Sequence, residues 1–137
     1  GSEPYLITLG SNVRLSGNVS FITHDGSVHT LRSKEKYKDV QKYGKIVVGD
    51  NSFIGAGATI MPNVNIGNNC IIGAKALVCN SIPDNSIAVG IPAKVIRNVW
   101  DYAEKVYEQM PEDWDNEQYK NNMKDYLQTV IPEPPKV

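Results

Sequence analysis

The sequence has little of what disulfide-rich, nucleic-acid-binding and membrane proteins need. Its two cysteines, Cys70 and Cys79, are too few for a disulfide framework and form no Cys-x-x-Cys pair. The formal charge of −1 lacks the basic excess that nucleic-acid-binding domains carry. No apolar run is long enough for a membrane span, and the start shows no charged segment followed by an apolar one. These absences predict a cytoplasmic protein with free thiols, no nucleic-acid partner and no membrane span.

Histidine is equally scarce. The chain holds only His24 and His29, so the search for a general base that works near neutral pH is confined to these two side chains. His24 lies in the string FITHDG, and His29 follows five residues later. The residues alone do not rank one above the other.

The strongest positive feature is a repeat with a period of six. From residue 48 to residue 78, every sixth residue is β-branched and aliphatic, and a weaker copy of the pattern precedes it at Leu9, Leu15 and Phe21. Six matches neither the 3.6 of a helix nor the alternation of a plain strand, but it fits short strands joined by turns. The spacing predicts an all-β solenoid with an inward ladder of aliphatic residues, Val48, Ile54, Ile60, Ile66, Ile72 and Val78. Mostly small residues, which leave room for the chain to turn at the corners, stand four positions after each of them: Ser52, Ala58, Val64, Cys70, Ala76 and Ile82.

The repeat is interrupted once and then ends. Its phase breaks after Phe21, and residues 25–45 are rich in charge, Ser and Gly, which predicts a protruding insertion loop. After Arg97 the period becomes helical: Asn98 is a candidate cap for a helix that Pro111 ends, and Asp115 is a candidate cap for a second helix. We therefore expect a β-helix domain over residues 1–97 and a helical extension with a proline-rich tail over residues 98–137.

From about Leu6 to Arg97 the chain resembles the hexapeptide-repeat acyltransferases, most closely in the block GKIVVGDNSFIGAGATIMPNVNIGNNCIIGAKALVCNSIPDNSIAVGIPAKVIR. Within that family it looks most like the maltose and galactoside O-acetyltransferases and the capsular-polysaccharide O-acetyltransferases. The resemblance implies a left-handed parallel β-helix that works as a homotrimer with its active sites between subunits. It further implies transfer of an acetyl group from acetyl-CoA to a hydroxyl of a saccharide acceptor, with no metal required.

The same resemblance selects the base. In the family a histidine just before the protruding loop deprotonates the acceptor hydroxyl, and His24 matches that place. We therefore expect His24 to be the catalytic residue, with direct attack of the acceptor on the thioester and no acyl-enzyme.

The acetyl-CoA contacts follow from the resemblance and from small residues at one corner of the repeat. Ala56 and Ala74 are eighteen residues apart, which is one full coil, so they share an edge. In the family the first of these amides lies near the thioester carbonyl and the second contacts the pantetheine. The closing GIPAKVIR segment offers cations for the CoA phosphates. The implied cofactor contacts are Phe53, Ala56, Gly57, Ala74, Cys79, Asn80, Pro92, Lys94 and Arg97.

Three of these positions depart from the family pattern. Phe53, Cys79 and Asn80 stand where the nearest relatives often have Trp, Thr and Lys. The fold does not depend on any of the three. Loss of the lysine removes one cation from the expected contacts with the CoA phosphates.

Other functions on the same scaffold remain open at this point. Antibiotic acetyltransferases share the solenoid, and a solenoid is also able to present a surface without catalysing anything. The γ-class carbonic anhydrases bind zinc through three histidines, two of them five residues apart, which is the spacing of His24 and His29. A third histidine is missing here, so that function needs another ligand in its place.

Overall fold

The structure is a computed structural model that describes residues 3–136. Gly1, Ser2 and Val137, the outermost residues of the two predicted regions, lie outside the described part. The chain divides into two compact units, residues 1–102 and residues 103–137.

The first unit is a parallel β-helix whose coils each contribute short strands to three sheets. Phe53 pairs with Ile71, eighteen residues later, so one coil is three hexads long as the repeat predicts. The strands are β1 Ile7–Leu9, β2 Arg14–Leu15, β3 Ser20–Phe21, β4 Ile46–Val48, β5 Phe53–Ile54, β6 Thr59–Ile60, β7 Val64–Ile66, β8 Ile71–Ile72, β9 Leu77–Val78, β10 Ser86–Gly90 and β11 Ala93–Asn98. The first sheet contains β1, β4 and β7, the second contains β2, β5, β8, β10 and β11, and the third contains β3, β6 and β9.

The interior consists of the aliphatic ladder that the period of six predicts, together with the row of mostly small residues from Ser52 to Ile82. All twelve positions are at most 5% exposed, which confirms the aliphatic ladder and shows that the second row is buried as well. The weaker first copy of the repeat is less well covered: Leu9 is 42% exposed and Leu15 is 38% exposed. These two residues belong to the first coil, which within residues 3–136 has a neighbouring coil on one side only.

Asparagines turn the chain at the corners. Asn12, Asn51, Asn69 and Asn85 all have positive φ, a conformation that asparagine tolerates better than most residues. They stack from coil to coil, and the amide of Asn51 donates to the side-chain oxygen of Asn69 at 2.9 Å. Each corner therefore supports the next one along the solenoid.

The insertion loop leaves the solenoid after β3 and returns at β4. It contains the short helix α1, Val28–Leu31, and a single 3₁₀ turn, Glu35–Tyr37. The Arg32 guanidinium donates two hydrogen bonds to the carbonyl of Val40, at 3.0 and 2.9 Å. These bonds link the two halves of the loop. The Lys42 ammonium lies 3.2 Å from the Asp25 carboxylate and draws its ends together.

Three helices follow the solenoid: α2 Val99–Gln109, α3 Asn116–Asn121 and α4 Met123–Val130. The Asn98 side chain accepts from the Trp100 amide at 2.8 Å, and Asp115 accepts from the amides of Glu117 and Gln118, so both predicted caps are confirmed. The single helix predicted after Asp115 is wrong, because the chain leaves helical geometry at Asn122 and forms two helices. Within residues 3–136, none of the helices combines the length and the hydropathy that a membrane span requires.

Candidate active site

His24 lies where the third sheet ends in the first coil and the insertion loop begins. The carbonyl of its neighbour Thr23 accepts a hydrogen bond from the Gly44 amide at 2.9 Å. His24 itself forms an antiparallel bridge with Tyr43, and the two rings lie 5.8 Å apart. The departing and returning ends of the loop thus hold the backbone of His24 in one place.

A buried carboxylate holds the imidazole of His24. The Oε2 atom of Glu3 lies 3.1 Å from Nδ1 of His24 and also accepts a hydrogen bond from the Thr23 hydroxyl. The Glu3 side chain is 10% exposed, whereas that of His24 is 47% exposed. The hydrogen bonds from Thr23 and then His24 hold the pKa of Glu3 below its ordinary value. In the tautomer that carries its proton on Nδ1, the His24 ring donates to an ionised Glu3, and the lone pair on Nε2 is then available to a substrate.

Sequence reasoning missed Glu3. It precedes His24 by 21 residues and belongs to no motif that points to the histidine. Only the coiling of the chain, which brings the residues before β1 beside the end of β3, places the two side chains together.

His29 occupies a different setting. It lies in α1 within the loop, where its amide donates to the Gly26 carbonyl at 3.1 Å. Its side chain makes no hydrogen bond within residues 3–136, in contrast to the anchored ring of His24.

The corner between the second and third sheets carries backbone donors without partners. We call this corner the amide edge; it comprises Gly17, Ala56 and Ala74 in three successive coils. The Ala56 carbonyl accepts from the Lys75 amide at 2.8 Å, which stacks the coils. In contrast, the N–H groups of Ala56 and Ala74 donate to no group within residues 3–136, and both residues are exposed. Gly57, next to Ala56, has φ +71° and lacks a side chain that would cover the edge.

An apolar groove lies on the outer face of the second sheet, next to the amide edge. Its volume is about 500 Å³, and its floor includes Phe53 and Ile71 on neighbouring strands. Ile87 continues this row and pairs with Arg97 on β11, so the groove ends in a cation. These side chains suit a ligand with an extended apolar part and an anionic end.

The remaining implied contacts are spread over other parts of the surface. Pro92 lies in the turn between β10 and β11, after a cis Ile91–Pro92 bond, and Lys94 on β11 pairs with Val89. Cys79 and Asn80 follow β9, at the edge between the third and first sheets. This is the edge at which His24 lies, two coils away.

A single chain does not bring His24 and the amide edge together. His24 and Ala56 lie at opposite ends of the third sheet, which forms one face of the solenoid. A face is about six residues long, so at roughly 3.3 Å per residue the two edges are about 15–20 Å apart. A small group that contacts His24 therefore does not also reach the Ala56 N–H of the same chain.

Residues 45–80 match the family described as bacterial transferase hexapeptide (six repeats). The chain is 41% identical to protein CapG of Staphylococcus aureus over 108 residues, which are 79% of this chain and 62% of CapG. It is 36% identical to the galactoside O-acetyltransferase of Escherichia coli over 106 residues, 77% of this chain and 50% of that protein. The chain belongs to the hexapeptide-repeat transferases.

Solved structures agree with this assignment. A galactoside acetyltransferase in complex with coenzyme A matches this hexapeptide-repeat chain with a TM-score of 0.63 and 35% identity, over 72% of this chain and 48% of that one. These likenesses confirm the fold class, an all-β solenoid in the left-handed parallel β-helix form. The chain spans between 44% and 62% of the length of the first curated relatives it matches.

The described residues contain no ligand set of the kind that the carbonic anhydrase alternative requires. Within residues 3–136, no three His, Cys, Asp or Glu side chains lie close enough together to hold a metal ion. The two histidines that share the carbonic anhydrase spacing differ in surroundings, since His24 is bound to Glu3 and His29 lies on α1.

Proposed function

We propose that this chain carries the catalytic site of an acetyl-CoA-dependent O-acetyltransferase that acts on a hydroxyl of a saccharide. The observation that carries the proposal is the pair of Glu3 and His24, which leaves Nε2 of an anchored imidazole available beside the insertion loop. Galactoside O-acetyltransferases among the relatives support the choice of a sugar acceptor. Use of acetyl-CoA and the two free cysteines are in keeping with a cytoplasmic location.

His24 acts first as the general base. Its Nε2 atom takes the proton of the acceptor hydroxyl while the acceptor oxygen forms a bond to the acetyl carbonyl carbon. The Glu3 carboxylate stabilises the imidazolium that results and keeps the ring from turning. When the carbon–sulfur bond breaks, His24 returns the proton to the departing CoA thiolate, so the enzyme is unchanged after one turnover.

Neither cysteine is suited to a covalent route. Burial raises the pKa of the Cys70 thiol, which lies in the core ladder at 1% exposure. Cys79 is exposed, but within residues 3–136 its Sγ is hydrogen-bonded to the Leu77 carbonyl, at 3.9 Å, and to no basic side chain. Direct transfer therefore remains the mechanism that we propose.

The residues along the amide edge and the adjoining groove fit acetyl-CoA. The free N–H groups of Ala56 and Ala74 supply donors for a thioester oxygen and for pantetheine amide oxygens, and Gly57 allows close approach. Arg97, at the end of the apolar groove, offers a cation that suits a phosphate, which supports its proposed role. The complex of a similar galactoside acetyltransferase with coenzyme A supports this assignment.

We further propose a homotrimer in which the His24 edge of one subunit faces the amide edge of its neighbour. The separation of the two edges by a full face of the solenoid is the reason. A cyclic trimer of three-sided solenoids brings unlike edges together three times, which gives three equivalent sites.

The function is tested by incubating the protein with acetyl-CoA and separate acceptors: methyl galactoside, maltose, nucleotide sugars and chloramphenicol. O-acetylated sugar detected by mass spectrometry is the expected product. Acetylation of chloramphenicol alone would instead assign an antibiotic acetyltransferase, and no product with any acceptor would contradict the proposal.

Arg97→Ala is expected to weaken CoA binding by about tenfold, because it removes a charge-assisted contact to phosphate. Titration calorimetry with CoA and dephospho-CoA measures the effect. If the contact is to the 3′-phosphate, the wild type should discriminate between the two ligands and the variant should not. Lys124→Ala, on α4, is the control for loss of one cation. Unchanged CoA affinity in Arg97→Ala would place the phosphates elsewhere.

A further inference from the structure

Lys75 breaks the pattern of the solenoid corners. Seven non-glycine residues within residues 3–136 have positive φ; six are asparagines, and the seventh is Lys75 with φ +62°. Asparagine tolerates this left-handed conformation and recurs at the corners for that reason, whereas a lysine there is strained. Strain of this kind is concentrated at functional sites. A lysine at this corner therefore calls for an explanation beyond folding.

The Lys75 side chain lies back over Gly57, on the preceding coil. A Cβ added to Gly57 would meet Cδ of Lys75 at 2.8 Å and Nζ at 2.9 Å. The absence of a side chain at Gly57 thus makes room for the lysine. Lys75 forms no ion pair with any carboxylate within residues 3–136, so its charge is not used to hold the fold together.

The Lys75 side chain points away from the proposed phosphate contacts. Lys94 and Arg97 lie on β11, which follows the third coil. Lys75 lies in the third coil, and its side chain extends towards the second coil. The first coil, which follows in the same direction, ends at His24. The ammonium group therefore lies over Gly57 in the second coil, next to Ala56, whose N–H is the proposed donor to the reacting carbonyl.

We propose that Lys75 is a catalytic residue whose ammonium group stabilises the negative charge on the thioester oxygen during transfer. The inference rests on the proposed function. As the acceptor oxygen bonds to the carbonyl carbon, the electron pair of the C=O bond moves to its oxygen, which accepts from the Lys75 ammonium and the Ala56 N–H. The pair returns when the carbon–sulfur bond breaks. The Lys75 ammonium group and the Ala56 N–H both donate hydrogen bonds and neither accepts them. Such a pair stabilises an oxyanion.

Two variants separate this role from a structural one. Lys75→Met keeps the alkyl stem over Gly57 and removes the charge. Lys75→Asn installs the residue that the other corners use and so removes the strain. Both are expected to lower kcat by about 10- to 100-fold, at or below the cost of removing one oxyanion donor, while Lys75→Asn keeps or raises Tm. Lys124→Met is the charge control.

A binding measurement tests the same claim without turnover. Carboxymethyl-CoA is a thioether, so it has no acyl group to transfer. Its carboxylate lies one bond beyond the position of the thioester carbonyl carbon and brings a negative charge within reach of the same donors. We expect the wild type to bind it roughly tenfold more tightly than CoA, and Lys75→Met to bind the two within about twofold, with its CoA affinity unchanged.

The outcomes are distinguishable from failure of the proposed function. A Lys75→Met variant that keeps the preference for carboxymethyl-CoA, or a Lys75→Asn variant with wild-type kcat, would overturn the role of Lys75 alone. Weaker binding of CoA itself in Lys75→Met would make Lys75 a phosphate contact and also overturn it. A wild type that binds neither ligand would overturn the assignment of acetyl-CoA and this inference with it.

Discussion

His24→Ala is expected to lower kcat by roughly 10²- to 10⁴-fold, the usual cost of losing a general base. The variant lacks the Nε2 atom that takes the acceptor proton, while the amide edge and the apolar groove remain as they are. CoA affinity should therefore stay within about twofold of the wild type. Steady-state transfer from acetyl-CoA, together with calorimetry, separates the two quantities.

Two companion variants sharpen the test of His24. His29→Ala should retain at least about half of the wild-type kcat, since His29 lies on α1 without a side-chain partner in the described residues. Glu3→Gln should cost about tenfold, because the amide still accepts from Nδ1 but no longer stabilises the imidazolium. A reversed order, with His29→Ala inactive and His24→Ala active, would assign the base to His29. Full activity in both histidine variants would exclude either of them as the base.

Gly55→Ala is expected to destabilise the solenoid by about 3 kcal/mol or more, the upper range for an overpacked interior. A Cβ at this position would lie 2.5 Å from the amide nitrogen of Ala74 and 2.8 Å from the Ile72 carbonyl oxygen. Both contacts are with backbone atoms of the next coil, so the coils would have to separate for the methyl group to fit. Equilibrium denaturation in urea measures the change.

Gly17→Ala is the matched control for Gly55→Ala. It belongs to the same solenoid, but no heavy atom lies within 4 Å of the Cβ that would be added. Its free energy of unfolding should change by less than about 1 kcal/mol. Equal losses in the two variants would mean that the close approach of the coils at Gly55 does not hold the fold together.

The solenoid is predictable from the sequence because the six-residue period of the sequence equals the repeat of the structure. Each hexad supplies one inward aliphatic residue, such as Ile54 or Ile60, and both are fully buried. A pattern kept in phase over 48–82 leaves only one way to bury all of these positions at once. The insertion loop and the caps at Asn98 and Asp115 were predictable for similarly local reasons.

The features that the sequence does not reveal depend on contacts between distant residues. Glu3 meets His24 only because the first coil returns the chain to its own beginning. The strain at Lys75 appears only when the backbone shows which position of the hexad has positive φ. Asn63 and Asn69 hold that position at the spacing of six, and Lys75 continues the series. The break at Asn122 lies inside an apolar stripe from Tyr119 to Leu127 that is compatible with one continuous helix.

The most direct test of the account is to mix two variants that are each inactive for a different reason. His24→Ala lacks the base, and Ala74→Trp is expected to block the amide edge at an exposed position without disturbing the core. If each site is built from the His24 edge of one subunit and the amide edge of the next, mixed trimers contain sites that are intact on both sides. Random assembly of equal amounts should restore about one quarter of the wild-type activity, since each edge of a site is intact half of the time. Mixed trimers, purified through two different affinity tags, that remain inactive would contradict the account.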